Sequence, residues 1–131
     1  VVALHLFIKN KKLVIFIMID AVMFDIDDTL IRQSDGKPIP SIVDLLRRCQ
    51  MAGYRIVIIT ARPGYPQNVM WTHRQLATKG IHFDEIYFCP PQMKSAIKRQ
   101  LGYNFILSVG DQPTDLTDSQ NYINTSILCR N

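Results

Sequence analysis

Phe24-Asp25-Ile26-Asp27-Asp28-Thr29-Leu30 is the stretch on which the fold of this chain turns. An apolar run, Ala21-Val22-Met23-Phe24, leads into it, so three carboxylates follow a segment that reads as a buried strand. Like charges raise one another's pKa and desolvation opposes ionisation, so a fold tolerates such a group where a cation or a catalytic task offsets the cost. A strand that simply ends in a solvated acidic turn is the alternative this stretch leaves open by itself.

Working outward, Ser34-Asp35-Gly36-Lys37-Pro38 reads as a turn. Ser41 is expected to cap a helix with Ile42, Leu45, Leu46 and Cys49 at helical spacing and Gly53 at its stop. Arg55-Ile56-Val57-Ile58-Ile59-Thr60 is a β-branched run of strand length, apolar enough to be buried on both faces. After the loop Arg62-Pro63-Gly64-Tyr65-Pro66, a helix is expected over Gln67–Thr78, closed by Gly80. A short strand over Glu85–Cys89 is broken by Pro90-Pro91, and a third helix is expected over Gln92–Leu101. Phe105–Val109 is another buried strand, ending at Gly110-Asp111. Pro113 is expected to open a helix that ends near Asn121, with Ser126–Cys129 as a last strand. Strands and helices alternate throughout, which predicts the α/β class: a mainly parallel, Rossmann-like sheet in a three-layer α/β/α sandwich.

In such sheets ligands bind at the carboxyl ends of the strands. Asp25 and Asp27 lie at the end of the first of these strands and Thr60 at the end of the second. Asp111 ends a later one, with Asp115 four residues on, and Lys94 stands near the start of the third helix. Oxygen ligands of this kind suit Mg²⁺, and there is no His/Cys set for zinc. Lys94, the Thr60 hydroxyl and free backbone N–H groups after the first strand suit phosphate oxygens. Carboxylates, Mg²⁺ and a phosphate clamp together suit phosphoryl transfer, with one carboxylate as nucleophile and another two residues later as general acid and base.

The 131 residues fit one domain, and 47% hydrophobic with 20% charged residues is ordinary for a globular chain with a core. A net charge of +4 favours an anionic substrate such as a phosphate ester and admits nucleic acid, although Lys9-Asn10-Lys11-Lys12 and Lys98-Arg99 are too short to be nucleic-acid tracts. Cys49, Cys89 and Cys129 are scattered and odd in number, which reads as reduced thiols. Leu13–Ile19 follows a basic stretch, but Asp20 interrupts it, no small-residue cleavage site follows, and it is too short to span a bilayer. Residues 1–19 are therefore read as an extra strand or a leader and residues 20–131 as the functional core; the expected location is the cytoplasm, with export left open by the N-terminal apolar run. His5, His73 and His82 are scattered and read as surface residues, and Met70 and Trp71 read as packing on the second helix.

These motifs together resemble the haloacid dehalogenase superfamily of phosphatases. Its DxDxT motif is here Asp25-Ile26-Asp27-Asp28-Thr29, its strand-ending Thr/Ser is Thr60, its Lys is Lys94 with Lys98 as the rival, and its acidic pair is Asp111 with Asp115. The resemblance covers roughly residues 20–129. It implies that Asp25 attacks phosphorus, and that Asp27 protonates the leaving oxygen and then activates water. Mg²⁺ is implied between the Asp25 carboxylate, the Asp27 backbone carbonyl and Asp111, with Asp115 as a metal ligand or one step behind. Thr60 and Lys94 are implied to hold the phosphoryl group, Arg62 is placed to touch it, and Thr29 braces the loop. Gly110-Asp111-Gln112 with Asp115-Leu116 is similar to the fourth motif of acid phosphatases, and Thr60-Ala61-Arg62-Pro63 to the Thr-Gly-Arg of those enzymes and of polynucleotide phosphatases. The intervals from Asp25 to Thr60 and from Thr60 to Lys94 leave no room for a separate cap domain. An open site of that kind accepts a phosphorylated small molecule or a macromolecular end, nucleic acid or phosphoprotein, or shares a lid through oligomerisation. The expected function is a Mg²⁺-dependent phosphomonoesterase with no membrane partner. The alternatives are a polynucleotide 3′-phosphatase, a phosphoprotein phosphatase, or a non-catalytic binding or storage protein.

Overall fold

A computed structural model describes residues 2–129, apart from the side chains of Val2 and Cys129. Seven strands and three α-helices follow one another as β1 (Val2–Ile8), β2 (Lys11–Ile17), β3 (Asp20–Phe24), α1 (Pro40–Met51), β4 (Arg55–Thr60), α2 (Pro66–Thr78), β5 (Glu85–Phe88), α3 (Lys94–Leu101), β6 (Asn104–Gly110) and β7 (Asn121–Asn124). The central sheet has the order β5-β4-β3-β6-β7, and every neighbouring pair is parallel. Alternation along the strands splits its apolar residues between two faces. Val22, Phe24, Ile56 and Ile58 meet Leu46 of α1 and Leu76 of α2 on one side, while Ala21, Met23, Val57 and Ile59 meet Ile97 and Leu101 of α3 on the other. The α/β sandwich expected from the alternating pattern is the fold observed.

The chain runs outward from β3 to β5, then returns to lay β6 against the other side of β3. That reversal makes a crevice at the carboxyl ends of β3 and β6, which is where Asp25 and Asp111 emerge.

Several local expectations are corrected. Ser41 does not cap α1: the helix begins at Pro40, and Ile39 is the capping position, with no side-chain hydrogen bond. Pro at the first turn needs no N–H partner and presets φ, so it starts the helix one residue earlier. The helix expected from Gln92 is a 3₁₀ turn, Pro91–Met93, followed by α3 from Lys94. The helix expected from Pro113 to Asn121 is a single 3₁₀ turn, Pro113–Asp115. Its continuation is prevented because the carbonyls of Asp115 and Thr117 accept hydrogen bonds from the Lys98 ammonium, both at 2.7 Å, and Asp118 takes a left-handed φ of 57°. The last strand is β7, whereas Ser126–Cys129 forms a 3₁₀ turn in which the Asn124 side chain accepts the Ser126 N–H at 2.9 Å.

Residues 2–17 form two strands, not one. They pair antiparallel in a sheet of their own, joined at Lys9-Asn10, whose φ values of 49° and 60° suit a two-residue hairpin turn. Phe7 and Phe16 on this hairpin are 72% and 70% exposed, so it lies outside the core. Cys49 is buried and Cys89 half-buried, both as free thiols, and the Cys129 thiol lies outside the described residues. Among the described residues no helix is long and apolar enough to cross a membrane.

Candidate active site

The loop after β3 is wound tightly and fixes the Asp25 carboxylate. The Ile26 carbonyl accepts N–H groups from Thr29, Leu30 and Ile31 at 3.1, 2.9 and 3.0 Å, and Asp25 N–H donates to Val109 of β6 at 3.0 Å. Asp28 takes the left-handed conformation that closes this turn, with φ 57°, and its carboxylate accepts the Gln33 N–H at 2.9 Å. That is a turn-forming role. Thr29 is fully buried. Its hydroxyl lies 3.4 Å from Asp25 Oδ2 and 3.1 Å from the hydroxyl of Thr125, which in turn donates to the Asp28 carbonyl at 2.9 Å. Thr29 therefore braces the loop. Thr125 completes the brace across the sheet, and no sequence motif marks it.

Asp25, Asp111 and Asp115 bring carboxylate oxygens within 4.8 Å of one another. Lys94 Nζ sits among them, 3.0 Å from Asp25 Oδ1 and 2.5 Å from Asp115 Oδ1, and is 2% exposed. Burial pushes the Asp25 carboxyl up to about 8; Lys94 pulls it back, while Asp115 and Asp111 push it further up. Burial works to lower the Lys94 ammonium, but Asp25 and Asp115 outweigh it and hold its pKa above the usual lysine value. Asp115 is occupied on both oxygens, because Oδ2 accepts the Gln112 N–H at 3.0 Å.

Between the two candidate lysines, Lys94 reaches the nucleophile candidate and Lys98 does not. Lys98, one turn further along α3, donates to Ser108 Oγ at 2.9 Å and to the Asp115 and Thr117 carbonyls, so it anchors the loop that carries Asp115. Burial pushes its pKa down to about 8. Its spacing from Lys94 places both on one helix face, which was the available sequence signal for this role.

Asp27 is held apart from the acidic cluster. Arg62 donates to both its oxygens, Nε to Oδ2 at 3.0 Å and Nη2 to Oδ1 at 2.9 Å. Arg62 Nη1 also reaches Thr72 Oγ1 at 3.2 Å and Gln75 Oε1 at 2.8 Å on α2, and its guanidinium lies 5.3 Å from the centre of the Trp71 ring. Trp71 is 54% exposed and Met70 56%, so both lie outside the core, with Trp71 packed over Arg62. Of the histidines, His73 lies 5.7 Å from Phe83, ring to ring.

An open cleft of about 430 Å³ is lined by Asp25, Asp27, Arg62, Lys94 and Asp111 among others. Asp115 sits beneath it. Thr60 ends β4 buried at 1% exposure, accepts the Arg62 N–H at 3.1 Å, and is not among the residues lining the cleft. A larger hollow of about 590 Å³ lies at the opposite ends of β3 and β4, near Asp20 and Arg55, and gathers no comparable set of charged groups.

Residues 22–79, from β3 through α2, match the family model of haloacid dehalogenase-like hydrolases. That segment, somewhat under half of the chain, is similar to the family. The matched segment holds Asp25, Asp27 and Thr60, while Lys94 and Asp111 lie beyond it, on α3 and after β6. Solved structures resemble this fold. One is in the Pnkp1/Rnl/Hen1 complex, at 18% identity and TM-score 0.62 over 74% of this chain and 40% of that one. The Pnkp1/Rnl/Hen1 RNA repair complex supplies another, at 18% identity and TM-score 0.60 over 74% and 37%. A third is the D,D-heptose 1.7-bisphosphate phosphatase from B. bronchiseptica complexed with magnesium and phosphate, at 21% identity and TM-score 0.56 over 75% and 73%. The chain thus spans about two fifths of the RNA-repair chains it resembles. No curated protein sequence matches it.

Proposed function

We propose that this protein is a Mg²⁺-dependent phosphomonoester hydrolase acting through an aspartyl-phosphate on Asp25, with Asp27 as general acid and base. The observation that carries this reading is the buried Asp25 carboxylate, hydrogen-bonded to Lys94 and within 4.8 Å of Asp111 and Asp115, at the reversal point of a parallel sheet.

The residues fit a hard cation. Three carboxylates face one ammonium, and a carboxyl raised to about 8 by burial is a poor nucleophile at neutral pH until further positive charge restores its ionisation. Asp25 and Asp111 would hold Mg²⁺ together with the Asp27 main-chain carbonyl, and Asp115 fits behind them because both its oxygens already have protein partners. When bound, the ion would neutralise charge on the phosphoryl oxygens. Asp25 forms the bond to phosphorus as the bond to the leaving oxygen breaks, and Asp27 gives that oxygen a proton. Asp27 then takes a proton from water, whose oxygen attacks the aspartyl-phosphate, so that phosphate leaves and the Asp25 carboxylate returns. Lys94 keeps positive charge beside the transferring group throughout. Thr60 completes the phosphate contacts only if its hydroxyl turns from the Arg62 N–H toward the cleft.

The wild type is expected to release phosphate from p-nitrophenyl phosphate with Mg²⁺, to lose that activity in EDTA, and to lose at least about a thousandfold in kcat on Asp25→Asn. Retained activity in Asp25→Asn would sink the mechanism. A phosphorylated nucleic-acid end is the second substrate reading. It is supported by the exposed Trp71 beside the open cleft, a ring on which a base could stack, and by a fold shared with a chain of an RNA repair complex. Faster turnover of a 3′-phosphorylated oligonucleotide than of a nucleoside monophosphate would select it. We place the site on a core without a cap domain, on the ground that turns, α1, α2 and β5 fill both intervals between Asp25, Thr60 and Lys94.

A further inference from the structure

The residue after the Thr60 turn, Arg62, stands where a phosphate contact is expected, yet its geometry serves another carboxylate. Its guanidinium meets both oxygens of Asp27 in a parallel fork, at 3.0 and 2.9 Å, the arrangement that fixes a carboxylate in orientation as well as position. The third guanidinium nitrogen is held from behind by Thr72 and Gln75 of α2, and the Trp71 ring covers it. Thr72 is fully buried and the Arg62 side chain is 10% exposed, so the fork is rigidly mounted. Turning Arg62 toward a phosphate would break the pair with Asp27 and leave the Thr72 and Gln75 contacts unmade. Lys94, which lines the same cleft, is the cation that the phosphatase reading gives to phosphate.

We propose that Arg62 is a positioning residue that acts on the reaction only through Asp27, setting that carboxylate against helix α2. The inference rests on the phosphatase reading given above, in which Asp27 moves the proton. It predicts that α2, which contributes nothing to the acidic cluster, controls the proton-transfer half of the site. A general acid displaced by about 1 Å loses much of its effect, and residues acting as one unit are strongly non-additive when both are removed.

A double-mutant cycle separates this role from phosphate binding. Arg62→Lys keeps a positive charge but not the fork, and Asp27→Asn keeps the shape of its partner but not the proton transfer. On p-nitrophenyl phosphate, Arg62→Lys is expected to lower kcat about tenfold to a hundredfold, with the inhibition constant of inorganic phosphate within about threefold of the wild type. In the Asp27→Asn background the same change is expected to alter kcat less than about twofold. Losses that multiply in that background, or a tenfold weaker inhibition by phosphate, would overturn the inference. Gln75→Leu removes one hydrogen bond behind Arg62 without touching the fork, and serves if Arg62→Lys does not fold. It should lower kcat about threefold in the wild type and not at all with Asp27→Asn, and equal losses in both would overturn the inference. A wild type inactive on phosphate esters would overturn the phosphatase reading and this inference with it. An active wild type with a multiplicative cycle overturns this inference alone.

Discussion

Replacing Gly110 by alanine tests whether the acidic cluster depends on one close backbone approach. Gly110 ends β6, immediately before Asp111, and its carbonyl accepts the Thr125 N–H at 2.8 Å. A Cβ built there would stand 2.3 Å from the Asp115 Cβ and 2.4 Å from its Oδ2, where ordinary contact begins at 3.4 Å. The nearest atom is a Cβ, which no rotamer change moves, so the turn at Pro113–Asp115 must retreat by about 1 Å. Asp115 is held by Lys94 at 2.5 Å and by the Gln112 N–H at 3.0 Å, and its carbonyl by Lys98 at 2.7 Å, so the retreat strains all three contacts together. Overpacking of this kind costs about 1–3 kcal/mol, or a melting temperature lower by about 4–12 °C in a domain of this size. A displacement of about 1 Å in a phosphoryl-transfer site costs about a hundredfold in kcat/KM. The assay is p-nitrophenyl phosphate hydrolysis with Mg²⁺ alongside a thermal melt. Gly102→Ala is the control, because a Cβ there meets nothing within 4 Å while its φ of 67° still strains the backbone. It should lose about 1 kcal/mol of stability and keep its kcat/KM. Wild-type activity and melting temperature in Gly110→Ala would refute the claim that this contact sets the cluster.

Lys98→Met should lower stability by about 2–4 kcal/mol, measured by denaturant unfolding, because Ser108 and the carbonyls of Asp115 and Thr117 lose a buried cationic donor; an unchanged midpoint would refute its anchoring role. The Glu85 cluster predicts a pH dependence with a defined sign. Burial works to raise the Glu85 carboxyl, but hydrogen bonds from Tyr87, Tyr103 and Arg55 outweigh it and hold it below the usual glutamate value. Its contribution is therefore present above about pH 4.5 and is lost as the pH falls through the folded-state value, a loss of about 0.2–1 kcal/mol for a partly exposed network, and Glu85→Gln should flatten that acid limb in melts. The same contacts push Tyr87 up to about 12, chiefly through the hydrogen bond to Glu85 and then burial, so stability should also fall as the pH rises from 10 toward 12.

The sequence alone determined the fold class, because Ala21–Phe24, Arg55–Thr60 and Phe105–Val109 are too apolar to be anything but strands buried on both faces, and helical periods separate them. A parallel sheet brings strand ends to one edge, and Asp25, Asp111 and Asp115 gather there, whereas Asp27, expected with them, is drawn aside by Arg62. Failures came where side chains far apart in sequence compete for backbone groups. The expected helix after Pro113 is cut short by the Lys98 ammonium, which takes the carbonyls that helix would need. Thr125, nearly a hundred residues from Thr29, completes the brace on the Asp25 loop, and no local pattern announces a contact of that range. Only tertiary structure could choose between Lys94 and Lys98, because both lie on one helix face and the choice depends on which turn of α3 stands beside β3. Only tertiary structure, likewise, gave Arg62 to Asp27: motif spacing places a cation beside the phosphate, but the direction of a guanidinium fork is set by what holds it from behind, here Thr72 and Gln75 on a helix that the motifs do not include.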